Sequence, residues 1–295
     1  MFTHKWGCHS TTYVEGDYSD PSRRKGKLLS LSGFCLLSFA LLGVPTSGHP
    51  APPPGSTPEE QGLHVFVTQD NLDEGYQDAE ATMTMILQNS AGLESRREMV
   101  TLFLEVPEDG DKTLITFQFP RDIKGTGLLT YEHIETNDDQ WLYLPALKRV
   151  KRIASQNKSG SFVGSEFSYE DISSNKPAKY THRYLREALH NGIPFWVVER
   201  YPKDSSSGYT KIITWVDQSN YQTFKQEYFD RKGALLKVEH DTQHIHHLRK
   251  FWRPSKITMD NVQTKKKTIL EFQDWQFQQG LRDSVFTKRS LERQR

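Results

Sequence analysis

Cysteine is almost missing from this chain: of 295 residues only Cys8 and Cys35 are cysteines, and both fall within the first 50. If that front portion is removed, disulfide stapling, thiol catalysis and Cys-based metal sites go with it. An excess of one charge is missing too. Lys plus Arg number 38 against 37 Asp plus Glu, a formal net charge of +1 with pI near 7.8, so the basic footprint of a dedicated nucleic-acid binder is lacking and no nucleic-acid partner is expected. Long apolar runs are scarce. With 35% hydrophobic residues and mean hydropathy −0.69, a polytopic membrane protein is excluded. No strand–helix–strand rhythm, GxSxG elbow, phosphate loop or dinucleotide fingerprint occurs, so no parallel sheet and no cofactor is implied.

The one long apolar run, 28–44 (LLSLSGFCLLSFALLGV), follows Arg23, Arg24, Lys25 and Lys27 and precedes small and Pro-rich sequence. Basic, then apolar, then small is the order of a secretory signal peptide. A single membrane anchor competes with it, at the lower length limit for a span. Residues 1–48 are therefore expected to be a signal peptide with an extended N-terminal region, translation starting downstream of Met1. Those 48 residues hold five basic and three acidic side chains, which leaves 33 basic against 34 acidic in the remainder. Residues 49–58 (HPAPPPGSTP) read as an extended Pro-rich linker. Residues 59–295 are expected to form a single β domain.

That domain opens on a short helix. Thr57 is the N-cap, Pro58 the first helical residue, and Leu63, Phe66, Val67 and Leu72 the apolar positions. From about residue 79 the apolar period becomes two, which predicts about thirteen strands: 80–89, 97–106, 112–119, 139–144, 148–153, 161–170, 179–186, 194–201, 208–216, 222–229, 234–240, 255–261 and 266–277. Turn clusters rich in Gly and Asp, such as 90–92 and 230–233, link them as hairpins. A sheet of that size curls, and one apolar face per strand leaves either a packed sandwich or a hollow trough. Met83, Met85, Leu102, Leu104, Phe117, Phe119, Trp141, Tyr143, Trp196, Val198, Ile213 and Trp215 are the residues that alternation and aromatic character assign to a trough for an acyl chain.

Two segments, 138–153 (DDQWLYLPALKRVKRI) and 159–172 (SGSFVGSEFSYEDI), resemble the signature of the bacterial outer membrane lipoprotein-sorting proteins, relatives of the lipoprotein carrier LolA. Segments 215–233 and 251–277 are similar to strand pairs of the same family. The resemblance implies a mainly β fold: a curved antiparallel sheet forming an unclosed half barrel around a hydrophobic cavity, with short helices as a lid. It further implies a periplasmic, non-catalytic protein that binds lipid or lipidated protein. The partners it implies are an inner-membrane transporter and an outer-membrane acceptor.

Other clusters offer other chemistry. Lys148, Arg149, Lys151 and Arg152 suit a phosphate-bearing lipid headgroup, although a strand divides them between two faces. His244 and His246 would share a face about 7 Å apart on a regular strand, with His240 or Asp241 as a third metal ligand and His247 turned away. Glu166, Glu170 and Asp171 could serve paired-carboxylate chemistry or lie in turns. Two rivals to the carrier follow: an envelope sensor or protein-binding module on the same fold, and a secreted metal-dependent hydrolase.

Overall fold

Thr57 closes the N-terminus of the first helix. Its hydroxyl accepts the Glu60 N–H at 3.2 Å, and the Glu60 carboxylate accepts the Thr57 N–H at 3.2 Å. Pro58 occupies a position whose donor would have no helical partner in any case. A computed structural model describes residues 51–107, 109–173 and 176–293, which form one compact unit. The expected signal peptide and both cysteines lie outside the described residues.

The elements are α1 (Pro58–Asp73), β1 (Asp78–Gln88), β2 (Glu94–Leu104), β3 (Lys112–Phe119), β4 (Gly127–Tyr131), β5 (Asp139–Leu144), β6 (Arg149–Ile153), β7 (Tyr180–His190), β8 (Ile193–Pro202), β9 (Tyr209–Asp217), β10 (Thr223–Asp230), β11 (Leu235–His247), β12 (Phe251–Asn261), β13 (Lys267–Phe277) and α2 (Lys288–Glu292). Among the described residues thirteen strands join one antiparallel sheet in the order β6-β5-β4-β3-β2-β1-β13-β12-β11-β10-β9-β8-β7. The chain walks from β1 out to β6, crosses through residues 154–179 to the far edge at β7, and walks back until β13 pairs with β1. β6 and β7 remain edges, so the sheet is an unclosed barrel, as the resemblance implied. Hairpin turns use the expected chemistry: Asp230 Oδ1 accepts the Lys232 and Ala234 N–H groups while Gly233 supplies φ +77°.

Both faces of the sheet are covered, by different segments. The inner face carries α1 and, of the crossing segment, residues 154–173. Phe66 of α1 packs with Trp196, Val198 and Val216, and the crossing segment drops Phe162 and Phe167 among Met83, Met99, Phe117, Leu142 and Leu270. Each such buried ring contributes about 1.5–3 kcal/mol. Gly62 brings α1 against the β7 backbone: a Cβ there would stand 2.9 Å from the amide nitrogens of Arg183 and Tyr184. The outer face of β2 to β6 is covered by the C-terminal segment, through Phe286 and Leu291 against Leu114, Leu129 and Trp141.

This double cover explains where the sequence reading and the structure part. The strand expected at 161–170 is instead the crossing segment, a loop turned by Val163 and Gly164 at positive φ and tied by a single bridge between Ser161 and Ser168. In its place β4 (GLLTY) supplies the thirteenth strand; four of its five residues are buried, so it shows no alternation to read. In β2 alternation predicts that Leu102 and Leu104 face inward, but their face is the outer one, and Met99, Thr101 and Phe103 point inward. On α1 the buried positions are Gly62, Val65 and Phe66, while Leu63, Val67 and Leu72 stay exposed. The Pro-rich stretch before α1 lies on the domain, with Pro53 buried and the Ala51 carbonyl accepting the Trp196 indole N–H at 2.9 Å.

Candidate functional site

The inner trough has two parts. Under the crossing segment it is filled by the chain itself, with Phe162 0% and Phe167 3% exposed. Beyond that plug, toward the C-terminal end of α1, a cavity of about 410 Å³ stays open. Its walls are Phe66 of α1, Ala79, Phe103 and Thr113 of β1 to β3, Ile172 and Lys176 of the crossing segment, and Trp252, Ile257, Phe272 and Trp275 of β12 and β13. An aromatic cluster forms one end: Phe103 stacks on Trp275 at 5.5 Å, and Trp275 on Phe272 at 5.8 Å and Phe277 at 5.6 Å. Aromatic walls with a few placed polar groups are typical of small-molecule sites.

The polar groups stand where α1 meets the sheet. Lys176 donates to Asp70 at 3.0 Å, and Arg253 is paired with Asp73. Arg253 also lies over the rings of Tyr76 at 5.6 Å and Trp275 at 5.7 Å. The Tyr76 hydroxyl donates to Asp111 at 3.0 Å. Burial raises the carboxyls of Asp73 and Asp111 above the usual range, against the opposing pull of Arg253 on the first and Lys176 on the second. Burial alone would lower Lys176, but its bond to Asp70 and the charges of Asp70, Asp111 and Glu132 outweigh it and raise the ammonium. Two ion pairs thus fasten the helix over the cavity.

Past the patch of Trp196, Val198 and Val216 that Phe66 covers, the inner face of β8 to β11 carries a polar network. Arg200, 1% exposed, lies over Phe66 at 4.5 Å and donates to Gln226, whose amide donates to Glu239 at 2.7 Å; Tyr228 donates to the same carboxylate at 2.9 Å. The apolar positions of that face, Trp196, Val198 and Val216, are already covered by Phe66 of α1, which leaves the open apolar surface on the side of β1, β2, β12 and β13.

The residues singled out from the sequence fall into four places. Met83, Met85, Phe117, Trp196 and Val198 are on the inner face, beneath the crossing segment or α1 rather than in the open cavity. Leu102, Leu104, Trp141 and Tyr143 pack on the outer face under the C-terminal segment. Ile213 and Trp215 alternate with the inward Ile212 and so also face outward, Trp215 beneath Lys225 at 4.3 Å. Phe119 is 49% exposed at the end of β3. Lys148, Arg149, Lys151 and Arg152 are exposed at the β6 edge and do not line the cavity.

The remaining clusters are engaged elsewhere. Gln243 at φ +56° interrupts the regular strand between His240 and His244; His246 stacks on Trp252 at 4.4 Å, and His247 lies 5.3 Å from Phe277. Among the described residues no three His, Cys, Asp or Glu side chains are grouped to hold a metal ion. The three acids bolt the crossing segment to the sheet. Glu166 accepts from Asn261 at 2.7 Å, Glu170 from Gly208 N–H at 2.8 Å and Ser207 at 2.9 Å, and Asp171 from Tyr209 at 2.8 Å and from Lys237. Sequence reasoning missed Arg253, Tyr76 and Asp111; each sits at a strand end or in a connection, where periodicity carries no signal.

A protein-family model described as "-like: Uncharacterized protein" matches residues 109–293. Among solved structures, the chain is similar to an outer membrane lipoprotein-sorting protein domain from Vibrio parahaemolyticus, at 47% identity and TM-score 0.78, covering 79% of this chain and 99% of that one. It is also similar to a DUF1329 family protein from Desulfovibrio piger, at 26% identity and TM-score 0.75, covering 80% and 100%. A LolA superfamily protein from Nitrosomonas europaea shares the fold, at 20% identity and TM-score 0.64 over 80% and 100%. No curated protein matches the chain. With almost half of the residues shared over nearly the whole of the Vibrio domain, the chain belongs to the outer membrane lipoprotein-sorting protein family and has its LolA-like fold.

Proposed function

We propose that the protein is a periplasmic carrier that holds one acyl chain, of a lipid or of a lipidated protein, in the cavity beneath α1. The observation that carries this reading is the 410 Å³ opening between the aromatic cluster of β12 and β13 and the ion-paired end of α1. Its size falls within the roughly 300–1,000 Å³ of small-molecule sites, enough for a single amphiphile. The chain's own Phe162 and Phe167 occupy the rest of the trough, so several acyl chains at once would require the crossing segment to move.

The lining on this reading centres on Phe66, Ala79, Phe103, Ile257, Phe272 and Trp275. Met83, Met85 and Phe117 join it only when the plug is displaced. Burial gains about 0.8 kcal/mol per methylene, which makes unaided escape into water slow, so an outer-membrane acceptor must withdraw the cargo that an inner-membrane partner supplies. No residue is assigned a catalytic role.

A second reading has its own observation. Leu63 at 43% and Val67 at 39% exposure, one turn apart on α1, form an uncovered apolar patch, which suits an envelope sensor or protein-binding module. Native mass spectrometry of the protein as the cell produces it separates the readings. A co-purified lipid mass supports the carrier, and a bound protein without lipid supports the module. Stoichiometric zinc would instead favour the hydrolase.

A further inference from the structure

The β6 edge of the sheet is far more basic than the chain as a whole. Lys148, Arg149, Lys151 and Arg152 are all exposed there, and β6 pairs only with β5. Arg152 shares the outer face with Trp141, its register partner, whereas Lys151 pairs with the inward Leu142 and points the other way. Beside them lies α2, packed on β4 to β6 and pinned by Leu291, which fills the space a side chain at Gly127 would need. It adds exposed Lys288, Arg289 and Arg293, with the Lys288 ammonium 4.3 Å from the centre of the Trp141 ring. Asp139, paired with Arg152, and Glu292 are the acids within the same two elements and their neighbour strand.

We infer that this edge is a docking surface for an anionic phospholipid bilayer. Seven cations gathered on two neighbouring elements and the residues that flank them, in a chain that is close to neutral, give a local field that a negatively charged leaflet complements. Leu147, at the tip of the turn immediately before Lys148, is 63% exposed, an apolar point set among cations as an interfacial contact requires. Charged side chains on both faces of the edge oppose addition of a partner strand. The surface lies apart from the cavity, so this inference goes beyond the carrier reading and does not depend on what the cavity holds.

The test is co-sedimentation of the processed protein with vesicles of pure phosphatidylcholine and with vesicles in which about a third of the lipid is phosphatidylglycerol. The protein is expected to partition onto the anionic vesicles alone and to be released by salt. Lys148→Gln, Arg149→Gln and Lys151→Gln together should weaken partitioning on the order of 100-fold, from roughly five-fold per side chain. Lys265→Gln with Lys266→Gln, at the exposed β12–β13 turn, should leave most of it. All five side chains are exposed, so folding is unaffected. Equal binding to both vesicles, or anionic binding that survives the triple substitution, overturns the inference. Absence of vesicle binding together with salt-sensitive binding to polyglutamate overturns it in favour of an acidic protein partner. Native mass spectra of the triple variant report cavity lipid independently, so failure here and failure of the carrier reading are distinguishable.

Discussion

Lys237 of β11 and Asp171 of the crossing segment form an ion pair closed off from water, with side chains 3% and 2% exposed. The ammonium also donates to the Glu166 carbonyl at 3.0 Å and lies 5.2 Å from the ring centres of Tyr209 and Tyr228. One lysine therefore holds the plug down at two points. Lys237→Met leaves Asp171 without its cation and is expected to cost about 3–5 kcal/mol. Chemical denaturation measures the loss, and hydrogen exchange should show residues 159–172 loosened ahead of the sheet.

Phe162 is the deepest part of that plug, 0% exposed and 5.9 Å from the Phe117 ring. Phe162→Ala should cost about 3–5 kcal/mol in stability. If the trough takes acyl chains, the same change extends the open cavity toward Met83 and Met99 and raises the longest fatty acid retained. Denaturation and a chain-length series of fatty-acid binding read the two effects separately.

His182 of β7 packs against Phe66 of α1 at 5.1 Å, and burial, with Arg200 and Lys203 adding repulsion, lowers its pKa to about 3. The unfolded imidazole takes a proton near 6.5, so the folded state's advantage is complete above that pH and is lost as pH falls toward 3. Stability should drop by up to about 1.4 kcal/mol per pH unit across that window, beginning at the α1–β7 contact. His182→Gln should flatten the dependence, as measured by denaturant midpoints between these limits.

Asp241 acts in the opposite sense. Burial first, and then its neighbour Glu239, hold this carboxyl well above the ordinary range. The folded state keeps a proton that the unfolded chain releases, so the site's contribution to stability declines as pH rises above 3.8. Asp241→Asn keeps the shape without the charge and is expected to stabilise the protein at neutral pH by roughly 1–4 kcal/mol, seen as a higher thermal midpoint.

The extent to which the sequence disclosed this molecule follows from what covers each strand. β1 has one inward face with regular alternation, and Met83 and Met85 could be read from it directly, whereas β3 is buried on both sides and on β9 the aromatic Trp215 draws the reading to the outer face. β2 and β5 are buried on both sides, by the plug and by the C-terminal segment, so alternation could not say whether Leu102 and Trp141 or Met99 and Leu142 faced inward. The N-cap at Thr57 was legible because capping is local chemistry. The cavity was not, because Arg253, Asp73 and Tyr76 come together only through tertiary contacts.

The central claim is that an acyl chain lies in the opening beneath α1, against Trp252 and Trp275. Tryptophan quenching by a bromine-labelled fatty acid tests it most directly, since Trp141 and Trp215 sit on the outer face and report only non-specific contact. The account predicts saturable quenching that is largely lost in the Trp252→Phe, Trp275→Phe variant while the fatty acid still binds. Quenching that persists undiminished in that variant, or no quenching in the unaltered protein, would contradict it.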